Sequence, residues 1–63
     1  MLSNKELNET LISVMKDLDY KRNVDKANEG RFARNYAIVI TDLEKAIAYM
    51  DMFIIQQERE IGL

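Results

Sequence analysis

Tyr36, Ile40, Leu43, Ile47, Met50, Ile54, Gln57 and Ile61 stand alternately four and three residues apart, and no other feature restricts the fold of this chain so strongly. A repeat averaging 3.5 residues keeps one stripe of a helix facing one partner, so the seam belongs to a long helix packed on another. Phe32, Val39, Ala46 and Phe53 recur every seven residues beside the seam and widen it. There is no proline, and the two glycines are Gly30 and Gly62, so nothing between Arg31 and Glu60 interrupts a helix. A competing pattern makes Tyr36–Ile40 a strand and Thr41-Asp42-Leu43-Glu44 a capping box for a later helix. The heptad phase passes through that point without a turn residue. One continuous second helix is the expectation.

A first helix is expected from Asn4 to Arg22. Ser3 and Glu6 have the spacing of a capping box, and Leu2 and Leu7 that of a hydrophobic staple. Leu7, Leu11, Val14, Met15 and Leu18 form the apolar stripe, with Asn8, Glu9, Lys16 and Asp17 on the opposite face. The segment Asn23–Gly30 has no periodicity and is rich in turn formers, which reads as the connection of an antiparallel hairpin. Either Asp25 or Asn28 has the chemistry to cap the helix that follows.

Size then bears on assembly. Sixty-three residues form a single domain, 1–63, near the limit at which a lone hydrophobic core suffices. Small chains compensate with disulfides, metals or oligomerisation, and this one has no cysteine and no histidine. A second helix of roughly 48 Å against a first of roughly 28 Å leaves an overhang of about 20 Å. That overhang contains Met50, Met52, Phe53, Ile54 and Ile55, and Ile38, Tyr49, Met52 and Ile55 lie off the main seam. An apolar surface of this extent marks an interface. The expected architecture is therefore all-α, an antiparallel helical hairpin with a long second helix, assembled into a homo-oligomer.

The same absences restrict chemistry. Without an imidazole or a thiol, no Ser-His-Asp or Cys-His group exists. Asp42 and Glu44, Glu58 and Glu60, and Asp17 and Asp19 are each two apart and do not share a helix face, so no paired-carboxylate acid–base site is evident. An enzyme is not expected, nor a metal or other cofactor. No apolar run approaches the ~20 residues that span a bilayer, and no secretory signal opens the chain. A cytoplasmic protein without membrane contact follows.

Charge is uneven. Residues 21–34 hold Lys21, Arg22, Lys26, Arg31 and Arg34 against Asp25 and Glu29, a net +3, so the remainder carries −5 of the total −2. Cations near a helix start favour phosphate. Arg34 stands close to the Tyr36 position of the seam, where an anionic partner would offset its burial. Tyr36 has a face on which a base can stack, although packing is the commoner role of such a residue.

Arg34, Ala37, Ile38, Thr41, Leu43, Ala46 and Ile47, together with Met15-Lys16-Asp17-Leu18 upstream, resemble the pattern of the phage anti-CBASS sponge family. The likeness covers roughly Leu11 to Ile54. Those small helical proteins sequester cyclic-nucleotide second messengers of bacterial defence systems. The resemblance implies a hexamer that holds cyclic dinucleotides between protomers, and in some members cyclic trinucleotides in separate pockets. It implies that Lys16 contacts phosphate and that Arg34 and Thr41 are polar binding positions. Tyr36, Lys26 and Arg31 complete the candidate ligand set. The base-stacking aromatic of the family's N-terminal segment has no counterpart among these residues. If the chain is phage-encoded, its place would be the host cytoplasm.

Two other readings compete with ligand sequestration. One is a small helical adaptor or inhibitor that docks on a protein through its apolar overhang. The other is an RNA-binding hairpin dimer, which the net charge of −2 disfavours.

Overall fold

The computed structural model describes residues 1–60, which form two antiparallel helices, α1 (Asn4–Asn28) and α2 (Ala33–Glu60). The described residues contain no strand, so α2 is continuous through Thr41. Ile61, the last position of the expected seam, lies outside them. At 1.5 Å per residue the helices are about 37 and 42 Å long.

The start of α1 follows its sequence signal. The Glu6 N–H donates to Ser3 Oγ at 3.1 Å, and the Ser3 N–H donates to Glu6 Oε1 at 3.2 Å, which closes the capping box. Leu2 and Leu7, the staple pair, both remain about half exposed.

The end of α1 differs from expectation: the helix runs on past Arg22 to Asn28. Asn23 and Asp25 are weak helix formers, yet nothing between Arg22 and Gly30 forbids a helix. The seam repeat also continues through Leu18, Arg22 and Asp25. Gly30 stops the helix. Its φ of 68° lies in the left-handed region, and its N–H donates to the Asp25 carbonyl at 2.7 Å. The Asp25 carboxylate, still inside α1, accepts the Phe32 N–H at 3.0 Å at the threshold of α2. Asp25 therefore takes the capping role, while the Asn28 amide donates back to the Val24 carbonyl.

Helices of nearly equal length remove the expected overhang. The Asn4 Nδ2 donates to Gln57 Oε1 at 2.8 Å, so the first turn of α1 reaches the last turns of α2. Met50 and Ile54 are covered by their own chain, as seam residues facing α1. Met52, Phe53 and Ile55 stay exposed because they lie off the seam, as expected for Met52 and Ile55.

On α2 the expected seam holds, since Tyr36, Ile40, Leu43, Ile47, Met50, Ile54 and Gln57 are all buried or half-buried. On α1 the seam is Asn4, Asn8, Leu11, Met15, Leu18, Arg22 and Asp25, again four and three apart. Two corrections follow. Asn8, expected on the outer face, is 4% exposed, and Leu7 and Val14, expected in the stripe, are flanking residues. The helix is rotated so that polar residues occupy both ends of its seam and apolar ones only the middle.

Packing is thin. Ile40, at 5% exposure, is the one buried apolar side chain among the described residues. The radius of gyration is 15.1 Å, against about 10.6 Å for a compact chain of this length.

Candidate functional site

The hairpin is a single layer of two helices, with two broad faces that differ in chemistry. Rows seven residues apart flank the seam on each side. One face carries Leu7 and Val14 from α1 with Val39, Ala46 and Phe53 from α2. The other carries Ile12, Asp19 and Lys26 from α1 with Ala37, Glu44, Asp51 and Glu58 from α2. The hydrogen bond from Asn8 Nδ2 to Asp51 Oδ1, 2.7 Å long, crosses the seam on this polar face.

Two adjoining grooves occupy the polar face. One, of about 320 Å³, is lined by Met15, Lys16, Asp19, Arg22, Ile40 and Glu44. The second, of about 330 Å³, runs along α2 between Arg34, Ala37, Ile38, Thr41 and Asp42. Glu44 and Ala37 belong to the same row, which makes the grooves neighbours. Arg34 and Thr41 are two turns apart, about 10 Å along the axis. Both grooves are open to solvent, and neither encloses a small molecule by itself.

Of the six candidate ligand residues, Lys16, Lys26, Arg34 and Thr41 lie toward this polar face. Arg31 sits in the interhelical turn with its guanidinium 5.3 Å from the Phe32 ring centroid, a cation–π distance. Tyr36 is separated from them. It is a seam residue that opens to a groove of about 330 Å³ with Tyr20, Lys21, Val24, Asp25 and Asn28.

One residue of the polar groove entered the sequence reading only as part of the basic stretch 21–34, not as a binding position. Arg22 occupies a seam position, and its Nη2 is paired with Asp19 Oδ1, while its buried Nε has no partner in the protein. The signal was present in the four-residue step from Leu18, but ending the helix at Arg22 concealed it. The groove thus holds two cations, Lys16 and Arg22, beside Asp19 and Glu44. Arg22 is already half-compensated by Asp19, so Lys16 is the cation least committed to a protein partner. Such an arrangement suits a ligand that presents both anionic and hydrogen-bond-donor groups.

Among the described residues, no group of three or more Asp and Glu side chains is gathered to hold a metal ion. No described helix is long and apolar enough to cross a membrane. Set beside protein-family models, curated proteins and solved structures, the chain matches none.

Proposed function

We propose that this chain is a non-enzymatic binding protein that assembles from copies of the hairpin and sequesters a cyclic oligonucleotide, in the manner of the phage inhibitors of CBASS immunity its sequence resembles. The observation that carries the reading is the position of Lys16, Arg34 and Thr41 toward one broad face of the hairpin. Cations and a hydroxyl in adjoining grooves match the needs of a ligand with separated phosphates. The grooves are open on a single chain, and a neighbouring copy would supply the missing wall. Packing supports assembly: Ile40 is the one buried apolar side chain among the described residues, a small core for a hairpin standing alone. Capture requires no proton transfer, which agrees with a chain lacking imidazole and thiol.

Calorimetry against a panel of cyclic di- and trinucleotides tests the ligand. Binding with a defined stoichiometry per assembly is the expected result, and absence of heat at micromolar concentrations of every compound would refute it. Lys16→Ala and Arg34→Ala should each weaken capture by about 10- to 100-fold, the loss of one charge-assisted hydrogen bond.

A helical adaptor is the second reading. It draws on Tyr49 and Met52, which are 72% and 67% exposed on the outside of α2. Under it, Met52→Lys abolishes capture of a protein target while Lys16→Ala leaves capture intact.

A further inference from the structure

We propose that the apolar broad face, built by Leu7 and Val14 of α1 and Val39, Ala46 and Phe53 of α2, is the surface on which a second copy of this chain packs face to face, leaving the polar face with Lys16 and Arg34 outside that contact. The inference rests on the assembly half of the reading above and is independent of its ligand half.

Three observations point to a second copy. The first is chemical contrast between the two faces. The four large residues of the apolar face are each 43% to 47% exposed, and their rows contain one charge, Lys21, between Leu7 and Phe53. The corresponding rows of the other face contain four, Asp19, Lys26, Glu44 and Asp51, in the same span. A single hairpin therefore has an inside and an outside, with the inside still facing water.

The second is register. The bonds from Asn4 to Gln57 and from Asn8 to Asp51 fix the antiparallel pairing of the helices. That pairing sets Leu7 beside Phe53 and Val14 beside Ala46, with large and small side chains alternating along the face. Helices pack when ridges of large side chains enter grooves over small ones. A copy of the same face offers the matching relief, and two hairpins joined this way make a four-helix bundle whose core is the present surface. Such a contact is isologous and closes, which suits a soluble protein.

The third is area. The chain exposes 5269 Å², whereas the scaling of folded monomers gives about 4,200 Å² for its 7.4 kDa. The excess is about 1,000 Å², close to the ~800 Å² per partner that a stable interface removes. The broad face has the dimensions for it, since the molecule measures 52 × 19 × 15 Å.

The experiment is sedimentation equilibrium of the whole chain and of two variants, Phe53→Lys on the apolar face and Ile55→Lys outside it. The expected result is a wild-type mass that is an even multiple of 7.4 kDa, kept by Ile55→Lys at least as its dimeric unit. Phe53→Lys should weaken dimerisation by about 100-fold or more, because each copy brings an uncompensated charge into the contact. A folded wild-type monomer overturns both this proposal and the assembly reading. A dimeric unit that survives in Phe53→Lys and disappears in Ile55→Lys overturns this face alone and leaves assembly standing. If Phe53→Lys fails to fold, single-cysteine variants decide, since the chain has no cysteine of its own. Val39→Cys should react with maleimide about 10-fold more slowly than Thr41→Cys in the native assembly, with the difference lost on unfolding. Equal rates overturn the proposal.

Discussion

Asn8 donates from Nδ2 to Asp51 Oδ1 at 2.7 Å, and its own buried Oδ1 finds no partner in the protein. A half-satisfied buried amide is expensive, yet it ties α1 to α2 at one register. Replacing it should separate the two effects. Asn8→Leu is expected to raise stability by about 1 kcal/mol, because the unpaired acceptor disappears and Asp51 remains in solvent. Urea unfolding of the two proteins checks this, and a large loss of stability would show that the bond outweighs the orphaned oxygen.

The turn offers a cleaner case. Gly30 has a φ of 68°, and no atom lies within 4 Å of where a Cβ would stand. The cost of Gly30→Ala is therefore conformational alone, about 1 kcal/mol, and Gly30→Asn should cost less because Asn tolerates the left-handed region. Thermal melts of the pair should rank wild type above Asn above Ala.

Asp25 joins the helices through three backbone groups. Its carbonyl accepts the Glu29 and Gly30 N–H groups, and its carboxylate accepts the Phe32 N–H. Asp25→Ala removes only the last of these and should destabilise by about 1 kcal/mol, as for the loss of an N-cap. Asp25→Asn keeps an acceptor and should lose less than half of that. Chemical denaturation with circular dichroism distinguishes the two.

Arg22 permits a test of the polar groove that does not depend on removing charge. Arg22→Lys keeps the cation but loses Nε and the planar fork, so capture of a phosphate ligand should weaken by about 10-fold with little change in helix content. Calorimetry and circular dichroism on the same sample report the two quantities. An unchanged affinity would place Arg22 in the structure alone, as the partner of Asp19.

Much of the architecture was legible because it is local. The heptad spacing from Tyr36 to Gln57 encodes a helix and its inward stripe, and Ser3 with Glu6 encodes a helix start; both need only neighbours in the chain. The boundary near Arg22 was not legible. Asn23, Asp25 and Asn28 have turn-forming chemistry, but in the folded protein they lie within α1, where the Asn28 amide donates to the Val24 carbonyl and the Asp25 carboxylate holds the Phe32 N–H, and the chain reverses over residues 29–32. The rotation of α1 was hidden for a related reason. Leu7, Leu11, Val14 and Leu18 form as regular a stripe as the seam that is used, and only docking on α2 selects between two such stripes.

Two helices, the cap at Ser3 and the absence of thiol and imidazole chemistry were thus present in the order of residues, since propensity, periodicity and composition act without distant contacts. Which side chains are neighbours across the hairpin was not. The separation of an apolar face from a polar one, the adjoining of the groove at Lys16 with the groove at Arg34 and Thr41, and the burial of Asn8 against Asp51 depend on the relative rotation and register of α1 and α2. Those are set by long-range packing, where small differences in contact free energy choose among alternatives that a linear pattern leaves equal.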